Sequence, residues 1–229
     1  MPILVTANIK DAKDHQAIND INWLAPIVNQ MHDKDGTDQR STYDEFLGLN
    51  PNNRVWLYTS CSSHGCDPGH PECTAGRQGS ESNNDVWTGW PGYVIDEPAS
   101  EARAMGWLSF LYRTTGEFYL DVTHCLPTAW TEQYAYGGNG DGTLFYPGDP
   151  AKIGGDSWIP LESMRLKLIR DGYEDYEYLK ILAARNRESE ARKIAMNLFP
   201  VMYQTNKSDS DIQEARRQLA LRIDPANVP

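Results

Sequence analysis

Residues 101–123, EARAMGWLSFLYRTTGEFYLDVT, contain a helical pattern, a break and a strand pattern in that order. The apolar residues of the first part recur at helical spacing: Ala104, Leu108, Leu111 and Tyr112. This spacing predicts a helix over residues 101–113, which Gly116 ends, and the β-forming run after it predicts a strand over residues 117–123. A helix that leads directly into a strand is typical of an α/β fold with a parallel sheet.

The same alternation extends along most of the chain. Further strands are predicted at residues 3–7, 21–27, 55–60 and 93–96, and further helices at residues 41–49, 161–184, 188–198 and 208–223. We expect residues 1–185 to form one domain and residues 186–229 to form a C-terminal helical hairpin packed on it. A (β/α) barrel needs eight strands and about 250 residues. With five predicted strands, the sheet is either open or half of a barrel.

The composition argues against two classes of partner. The chain of 229 residues has 21 basic and 32 acidic side chains and a net charge of −11, without a basic cluster that would attract nucleic acid or an anionic membrane. No apolar run approaches the roughly 20 residues of a membrane-spanning helix, and residues 1–5 are too short for the core of a signal peptide. We therefore expect a soluble protein, whose full-length relatives would be secreted or periplasmic.

The cysteines allow three interpretations. They are interleaved with two histidines: Cys61, His64, Cys66, His70, Cys73 and Cys125. Their spacing fits no standard zinc template, so we predict no metal and no cofactor. A disulfide within the loop and reduced, structurally idle thiols both remain open, since the pairing depends on the redox compartment.

Carboxylates follow two predicted strands, at the end of the sheet where ligands of barrels and open α/β sheets gather. Asp96, Glu97 and Asp121 are candidate catalytic residues, because glycosidases cleave acetals with two carboxyl groups. Neighbours on a regular strand point to opposite faces, so Asp96 and Glu97 can act together only if the strand ends there. Alternatively, Asp96 caps the helix that begins after Pro98, with Glu97 in its first turn.

Other side chains near these strand ends are candidates for binding a sugar: Trp90, Tyr119, His124, Trp130 and Asp141. Aromatic rings cover the C–H faces of sugars, and carboxylates or imidazoles bond their hydroxyls. We expect Trp90, Tyr119 and Trp130 to line one cleft. The seven Trp and twelve Tyr residues of the chain also suit an ordinary core, and Asp121 with His124 could equally form a structural cluster.

Five motifs follow one another along the chain: GYVIDEP at 92–98, EARAMGW at 101–107, GEFYL at 116–120, GDGTLFYPG at 140–148 and ESMRLKLIRDGYEDYEYL at 162–179. Together they resemble the C-terminal region of glycoside hydrolase family 123 and a related glycoside-hydrolase-like barrel domain of unknown function. The resemblance covers about residues 23–182. It implies the second half of a TIM-type (β/α) barrel, in which the motif around residues 170–176 lies on an outer helix and is structural.

The resemblance also implies an activity, the exo-type hydrolysis of β-linked N-acetylhexosamine. An Asp-Glu pair of the family directs attack by the substrate's own acetamide, without a metal. In the family that pair lies on a middle strand of the barrel, which would precede Met1 here. Asp96 and Glu97 therefore match the pair in letters but not in position.

Two functional hypotheses follow. The first is a glycosidase, a hydrolase of carbohydrate metabolism that acts on β-linked sugars or polysaccharide through its carboxyl groups. The second is a non-catalytic fragment that binds carbohydrate or serves as a scaffold and lacks the catalytic strand. Because an incomplete barrel exposes strand edges, we expect a homo-oligomer in either case.

Overall fold

The computed structural model describes residues 1–66, 72–74 and 84–226. Its parallel strands are β1 (Leu4–Val5), β2 (Trp23–Leu24), β3 (Arg54–Val55), β4 (Leu57–Tyr58) and β5 (Glu117–Phe118). Strands β1, β2 and β3 pair in that order, and β4 pairs with β5. Because β3 and β4 are consecutive segments interrupted only at Trp56, the two sheets continue into each other. Trp56 N–H bonds Leu24 O at 2.8 Å, which maintains the pairing across the interruption.

The two faces of this sheet differ, as the alternation of side chains along a strand requires. On one face Leu24, Val55 and Leu57 are fully buried in the main hydrophobic core. The other face carries Trp23 stacked on Trp56, with ring centroids 4.9 Å apart, and Tyr58 against Phe118 at 5.5 Å. Trp23, Trp56 and Phe118 are half-buried, so this aromatic face is partly open to solvent.

The α-helices of the described residues are α1 (Ile9–Asp14), α2 (Val28–Met31), α3 (Asp44–Leu49), α4 (Cys61–His64), α5 (Asn84–Trp87), α6 (Ala99–Leu111), α7 (Pro150–Ile153), α8 (Met164–Leu182), α9 (Glu188–Leu198) and α10 (Asp209–Ile223). All except α4, α5 and α7 contribute buried side chains to the core on the buried face of the sheet. The closest crossing is between α6 and α8, where Gly106 and Gly172 let the backbones meet. A Cβ atom on Gly172 would lie 2.3 Å from Arg103 O, so only glycine fits there. None of the helices described is long and apolar enough to cross a bilayer.

Two antiparallel ribbons follow β5. Strands β6 (Tyr134–Ala135) and β7 (Gly138–Asn139) form one ribbon, and β8 (Phe145–Gly148) and β9 (Ile159–Glu162) form the other. All of β8 lies between the strand predicted over residues 117–123 and the helix predicted from residue 161, where the sequence predicted no element. The helix predicted from residue 161 begins only at Met164, because Leu161 and Glu162 pair with β8 and the Ser163 side chain caps α8.

The predicted α/β fold class is confirmed, but the described residues do not form a closed barrel. Residues 93–96 were predicted as a strand and are not one. Ile95 N–H bonds Asn139 O at 2.7 Å, and Arg165 binds Tyr93 O at 2.7 Å, so other partners occupy these backbone groups. The strand predicted over residues 117–123 ends at Phe118.

The C-terminal helices lie where they were expected. Helix α9 spans residues 188–198 and α10 spans residues 209–223, and both pack against α8. Their buried side chains Leu198 and Leu219 belong to the same core as the sheet. The division of the chain at residue 185 stays a prediction.

Candidate functional site

The loops that leave the carboxyl ends of β4 and β5 converge on Asp141. Its Oδ1 accepts hydrogen bonds from the Tyr119 hydroxyl at 2.7 Å and from Gly142 N–H at 3.2 Å. Its Oδ2 accepts one from Cys61 N–H at 2.7 Å. Burial raises the pKa of Asp141 to about 6, and these hydrogen bonds oppose the shift. Asp141 is 1% exposed, so it fixes the loops and does not face a ligand, contrary to the expected sugar-binding role.

His124 lies at the centre of a second, more open cluster. Its Nε2 is 2.7 Å from Glu72 Oε2, and its Nδ1 is 2.9 Å from the Tyr136 hydroxyl. Asp121 Oδ2 lies 3.7 Å from the same Nδ1. The side chains of His124, Glu72 and Asp121 are 27%, 35% and 37% exposed. Polar groups that converge and stay accessible can bind a ligand, and we call these four residues the His124 cluster.

Local structure explains how Asp121 and His124 meet. The chain turns away after β5, and Asp121 Oδ1 accepts a hydrogen bond from Thr123 N–H at 3.0 Å. This side-chain bond competes with a strand ladder, which accounts for the early end of β5. His124 N–H then bonds Gly142 O at 2.9 Å. The predicted proximity of Asp121 and His124 is therefore found in the structure.

Sequence reasoning missed Glu72 and Tyr136. All four cysteines are paired, Cys61 with Cys66 and Cys73 with Cys125, so neither idle thiols nor zinc thiolates remain. The Cys73–Cys125 bond joins the neighbours of Glu72 and His124, and a correct pairing would have placed these two residues together.

Residue His70 lies outside the described residues. Among the described residues, no group of three or more His, Cys, Asp or Glu side chains is placed to hold a metal ion.

Asp96 and Glu97 point to different partners. Asp96 is exposed and accepts a hydrogen bond from Asn139 Nδ2 at 3.0 Å. Glu97 accepts one from the Thr88 hydroxyl at 3.3 Å, and partial burial raises its pKa. The alternative role of Asp96 as a helix cap is not found, since α6 has Pro98 at its N-cap position without a side-chain cap.

Glu97 lines a groove of about 820 Å³ between the β8–β9 ribbon and the first turns of α6 and α8. Trp130 also lines it, with 42% of its surface exposed. The indole of Trp130 donates to Pro147 O at 2.8 Å and packs on Tyr146, with ring centroids 4.9 Å apart. A fixed, exposed indole in a groove that a carboxyl also lines suits a sugar subsite.

Trp90 and Tyr119 do not join Trp130 in one cleft. Trp90 is 2% exposed and packs on His64, with ring centroids 4.6 Å apart, and beside Tyr203. Tyr119 is half-buried and uses its hydroxyl on Asp141. The expected cleft of three rings is therefore corrected: buried Trp90 offers no surface to a sugar, and Trp130 is the exposed ring of the three.

Arg165 holds the loops around both clusters. Its guanidinium donates to Tyr93 O at 2.7 Å, to Gln133 Oε1 at 3.0 Å, to Thr143 O at 2.6 Å and also to Gly140 O. These acceptors are neutral, and burial lowers the pKa of Arg165. Sequence reasoning did not select this residue, although it lies within the motif at residues 162–179.

A further, half-buried carboxyl lies on β5. Glu117 accepts hydrogen bonds from the Tyr173 hydroxyl at 2.6 Å and from the Tyr93 hydroxyl. Burial raises its pKa to about 7, while the two hydroxyls lower it. Because Tyr173 lies on α8 and Glu117 lies on β5, their hydrogen bond links the sheet to α8. Neither residue belongs to the His124 cluster.

No family model and no curated protein matches the sequence. Among solved structures, the chain is similar to a family 123 glycoside hydrolase from Clostridium perfringens, whose structural analysis concerned glycolipid glycan hydrolysis. The TM-score is 0.52 and the sequence identity is 18%, over 95% of this chain and 33% of that chain. The chain thus spans about a third of that protein's length. At this identity the likeness shows the fold alone, a mixed α/β arrangement found in a glycosidase.

Proposed function

We propose that this chain acts in glycoside hydrolysis, on β-linked sugars, with the His124 cluster as its active-site surface. The observation that carries the proposal is the position of Asp121 and Glu72 on opposite nitrogens of one half-exposed imidazole. Two carboxylates that flank an accessible site can supply acid and base groups for cleaving an acetal. The glycosidase-like fold supports this assignment as an analogy.

Glu97 and Trp130 would form a separate subsite in the groove. Partial burial raises the pKa of the Glu97 carboxyl. The exposed indole of Trp130 would stack on a sugar ring. Asp96, which bonds Asn139, would not share a catalytic step with Glu97 in this arrangement.

The test is hydrolysis by the purified chain of a panel of aryl β-glycosides that includes N-acetyl-β-hexosaminides. We expect release of the aryl alcohol above the rate with buffer, and loss of that release in Asp121→Asn. If the wild type cleaves none of them, the proposal of catalysis by this chain is wrong.

The second candidate is a non-catalytic carbohydrate-binding or scaffold segment of a glycosidase barrel. It is favoured by the aromatic face of the sheet that carries Trp23, Trp56 and Phe118, because this face is partly open to solvent. Binding of a β-glycoside without turnover would support this candidate over catalysis.

We also propose that the chain self-associates through this face. Covering half-exposed aromatic rings removes apolar surface from water, and pairing at a sheet edge satisfies backbone groups. Light scattering should give a mass above the 25.9 kDa of one chain. A monomer whose mass does not change with concentration would contradict self-association.

A further inference from the structure

The hydrogen bonds from Glu72 through His124 to Tyr136 have a direction that follows from their chemistry. An ionised carboxylate only accepts hydrogen bonds, so the 2.7 Å contact between Glu72 Oε2 and His124 Nε2 requires a proton on Nε2. Asp121 Oδ2 lies 3.7 Å from Nδ1, beyond hydrogen-bond distance, so Nδ1 of a neutral ring is an acceptor. The Tyr136 hydroxyl, 2.9 Å from His124 Nδ1, therefore donates its proton to His124.

The backbone of Tyr136 also contributes to the position of its ring. Tyr136 N–H donates to the second oxygen of Glu72, Oε1, at 3.0 Å. Tyr136 has a φ of 51°, a left-handed conformation that is uncommon for a bulky residue and that clusters at functional sites. Gly142 allows the ring to lie close, because a Cβ atom there would be 2.8 Å from Tyr136 Cε2. The phenol is thus placed by its backbone as well as by His124.

We propose that Tyr136 is a substrate-binding residue whose oxygen accepts a hydrogen bond from a donor group of the sugar, a hydroxyl or an amide N–H. Since its own proton is committed to His124, Tyr136 presents only lone pairs to the ligand. A ligand group that can only accept, such as an ether oxygen, is disfavoured at this position. The inference rests on the proposed function in taking the ligand to be a sugar.

The first measurement concerns the direction of the hydrogen bonds and needs no ligand. Ring-nitrogen NMR of the ¹⁵N-labelled chain at about pH 7.5 shows which nitrogens carry protons, and His124→Gln identifies the signals of His124. We expect a neutral ring protonated at Nε2, and loss of this fixed tautomer in Glu72→Gln. A ring protonated at Nδ1, alone or together with Nε2, would overturn the inference, because Tyr136 would then accept from His124.

The second measurement is calorimetric binding of methyl N-acetyl-β-D-glucosaminide. Loss of one hydrogen bond in Tyr136→Phe should weaken binding about tenfold. Tyr178→Phe is the control, since Tyr178 lies on α8 under Arg216, with 5.0 Å between the guanidinium and the ring centroid. Deoxy analogues that lack the donor should bind more weakly to the wild type but not to Tyr136→Phe.

The outcomes separate the two proposals. If the wild type cleaves an aryl β-glycoside and Tyr136→Phe binds the methyl glycoside as tightly as the wild type does, the role of Tyr136 is wrong and the proposed function stands. If the wild type neither binds nor cleaves any glycoside, the proposed function is wrong, and the sugar assigned to Tyr136 is wrong with it.

Discussion

Two polar clusters of this protein each contain carboxylates, but one cluster is buried and the other is partly exposed. On α8, Asp175 accepts two hydrogen bonds from Arg103, at 2.7 and 3.1 Å, and one from the Trp107 indole at 3.0 Å. Asp175 and Arg103 are 0% and 4% exposed. In the His124 cluster the carboxylates are about a third exposed. The first cluster is closed by its own partners, and the second is partly exposed to solvent.

The comparison shows why residue type does not identify a site. A buried carboxylate with a bidentate arginine and an indole has no capacity left for a substrate, so its role is to hold helices together. In the His124 cluster, two carboxylates contact one imidazole near the carboxyl ends of parallel strands. A carboxylate that is partly exposed at such a position can still form hydrogen bonds with a ligand. We therefore expect mutations in the two clusters to act on different properties, stability in the first and turnover in the second.

The largest expected effect is on stability, for Asp175→Ala. Removal of one partner of a buried ion pair leaves Arg103 uncompensated and should lower the free energy of unfolding by about 3 to 5 kcal/mol. Urea denaturation followed by circular dichroism measures this. The control is Glu45→Ala, which removes the exposed ion pair between Glu45 and Lys13 and should cost at most about 1 kcal/mol. Equal losses of unfolding free energy in the two variants would contradict the role of Asp175 in holding the helices together. If Asp175→Ala does not fold, Asp175→Asn is measured in its place.

The second effect is on catalysis, for Asp121→Asn. Loss of a general acid or base typically slows turnover by about 100-fold or more, whereas the exposed Asp121 carboxylate contributes little to stability. Turnover of an aryl β-glycoside and the melting temperature should be measured on the same preparation. Asp156→Asn, in an exposed loop, is the control for charge. If Asp121→Asn retains full turnover, the His124 cluster has no catalytic carboxylate at this position.

The sequence predicts the closed cluster less well than the open one. Asp121 and His124 are three residues apart after a strand, so their proximity follows from local pattern. Glu72 is 52 residues from His124, and the Cys73–Cys125 disulfide brings the two residues together. The pairing of these cysteines cannot be deduced from their spacing. Likewise, Arg103 and Asp175 are 72 residues apart, and their pairing depends on a helix crossing that periodicity does not specify.

Residues 93–96 show a different limit of prediction. Their apolar pattern is that of a strand, but Asn139 and Arg165 take the backbone groups that a ladder would use. Trp90 was expected in a cleft because it precedes this segment, and instead it packs on His64. By contrast, the helix predicted over residues 188–198 was confirmed at both ends, and its buried residues Ala191, Ile194, Ala195 and Leu198 follow helical spacing.

A third test concerns the buried Asp175 cluster, which lies where α6 and α8 cross. Gly172→Ala places a Cβ atom 2.3 Å from Arg103 O, so the helices must separate and the Arg103–Asp175 bonds must lengthen. We expect a loss of about 1 to 3 kcal/mol in the free energy of unfolding. Gly48→Ala is the control, because no heavy atom lies within 4 Å of a Cβ there and alanine favours a helix. The crossing would not be tight if Gly172→Ala were as stable as Gly48→Ala.

The smallest expected effect concerns Glu101, a buried carboxyl on α6 whose described hydrogen-bond donor is Gly89 N–H, at 2.9 Å, rather than a cation. Burial, with a smaller contribution from Glu97, raises the pKa of Glu101 to about 8, above its ordinary value of 4.5. Between these two values the folded chain keeps a proton that the unfolded chain has released. Stability must therefore fall as the pH rises through this window.

Glu101→Gln removes this titration while keeping an oxygen for Gly89 N–H. Relative to the variant, the wild type should lose about 1 kcal/mol of unfolding free energy between about pH 5 and about pH 8, because relaxation of a protein interior reduces the ideal burial penalty. Urea denaturation of both proteins at the two pH values gives the difference directly. Parallel profiles would mean that Glu101 is ionised when buried. Its burial would then resemble that of Asp175, with a cation close enough to compensate its charge.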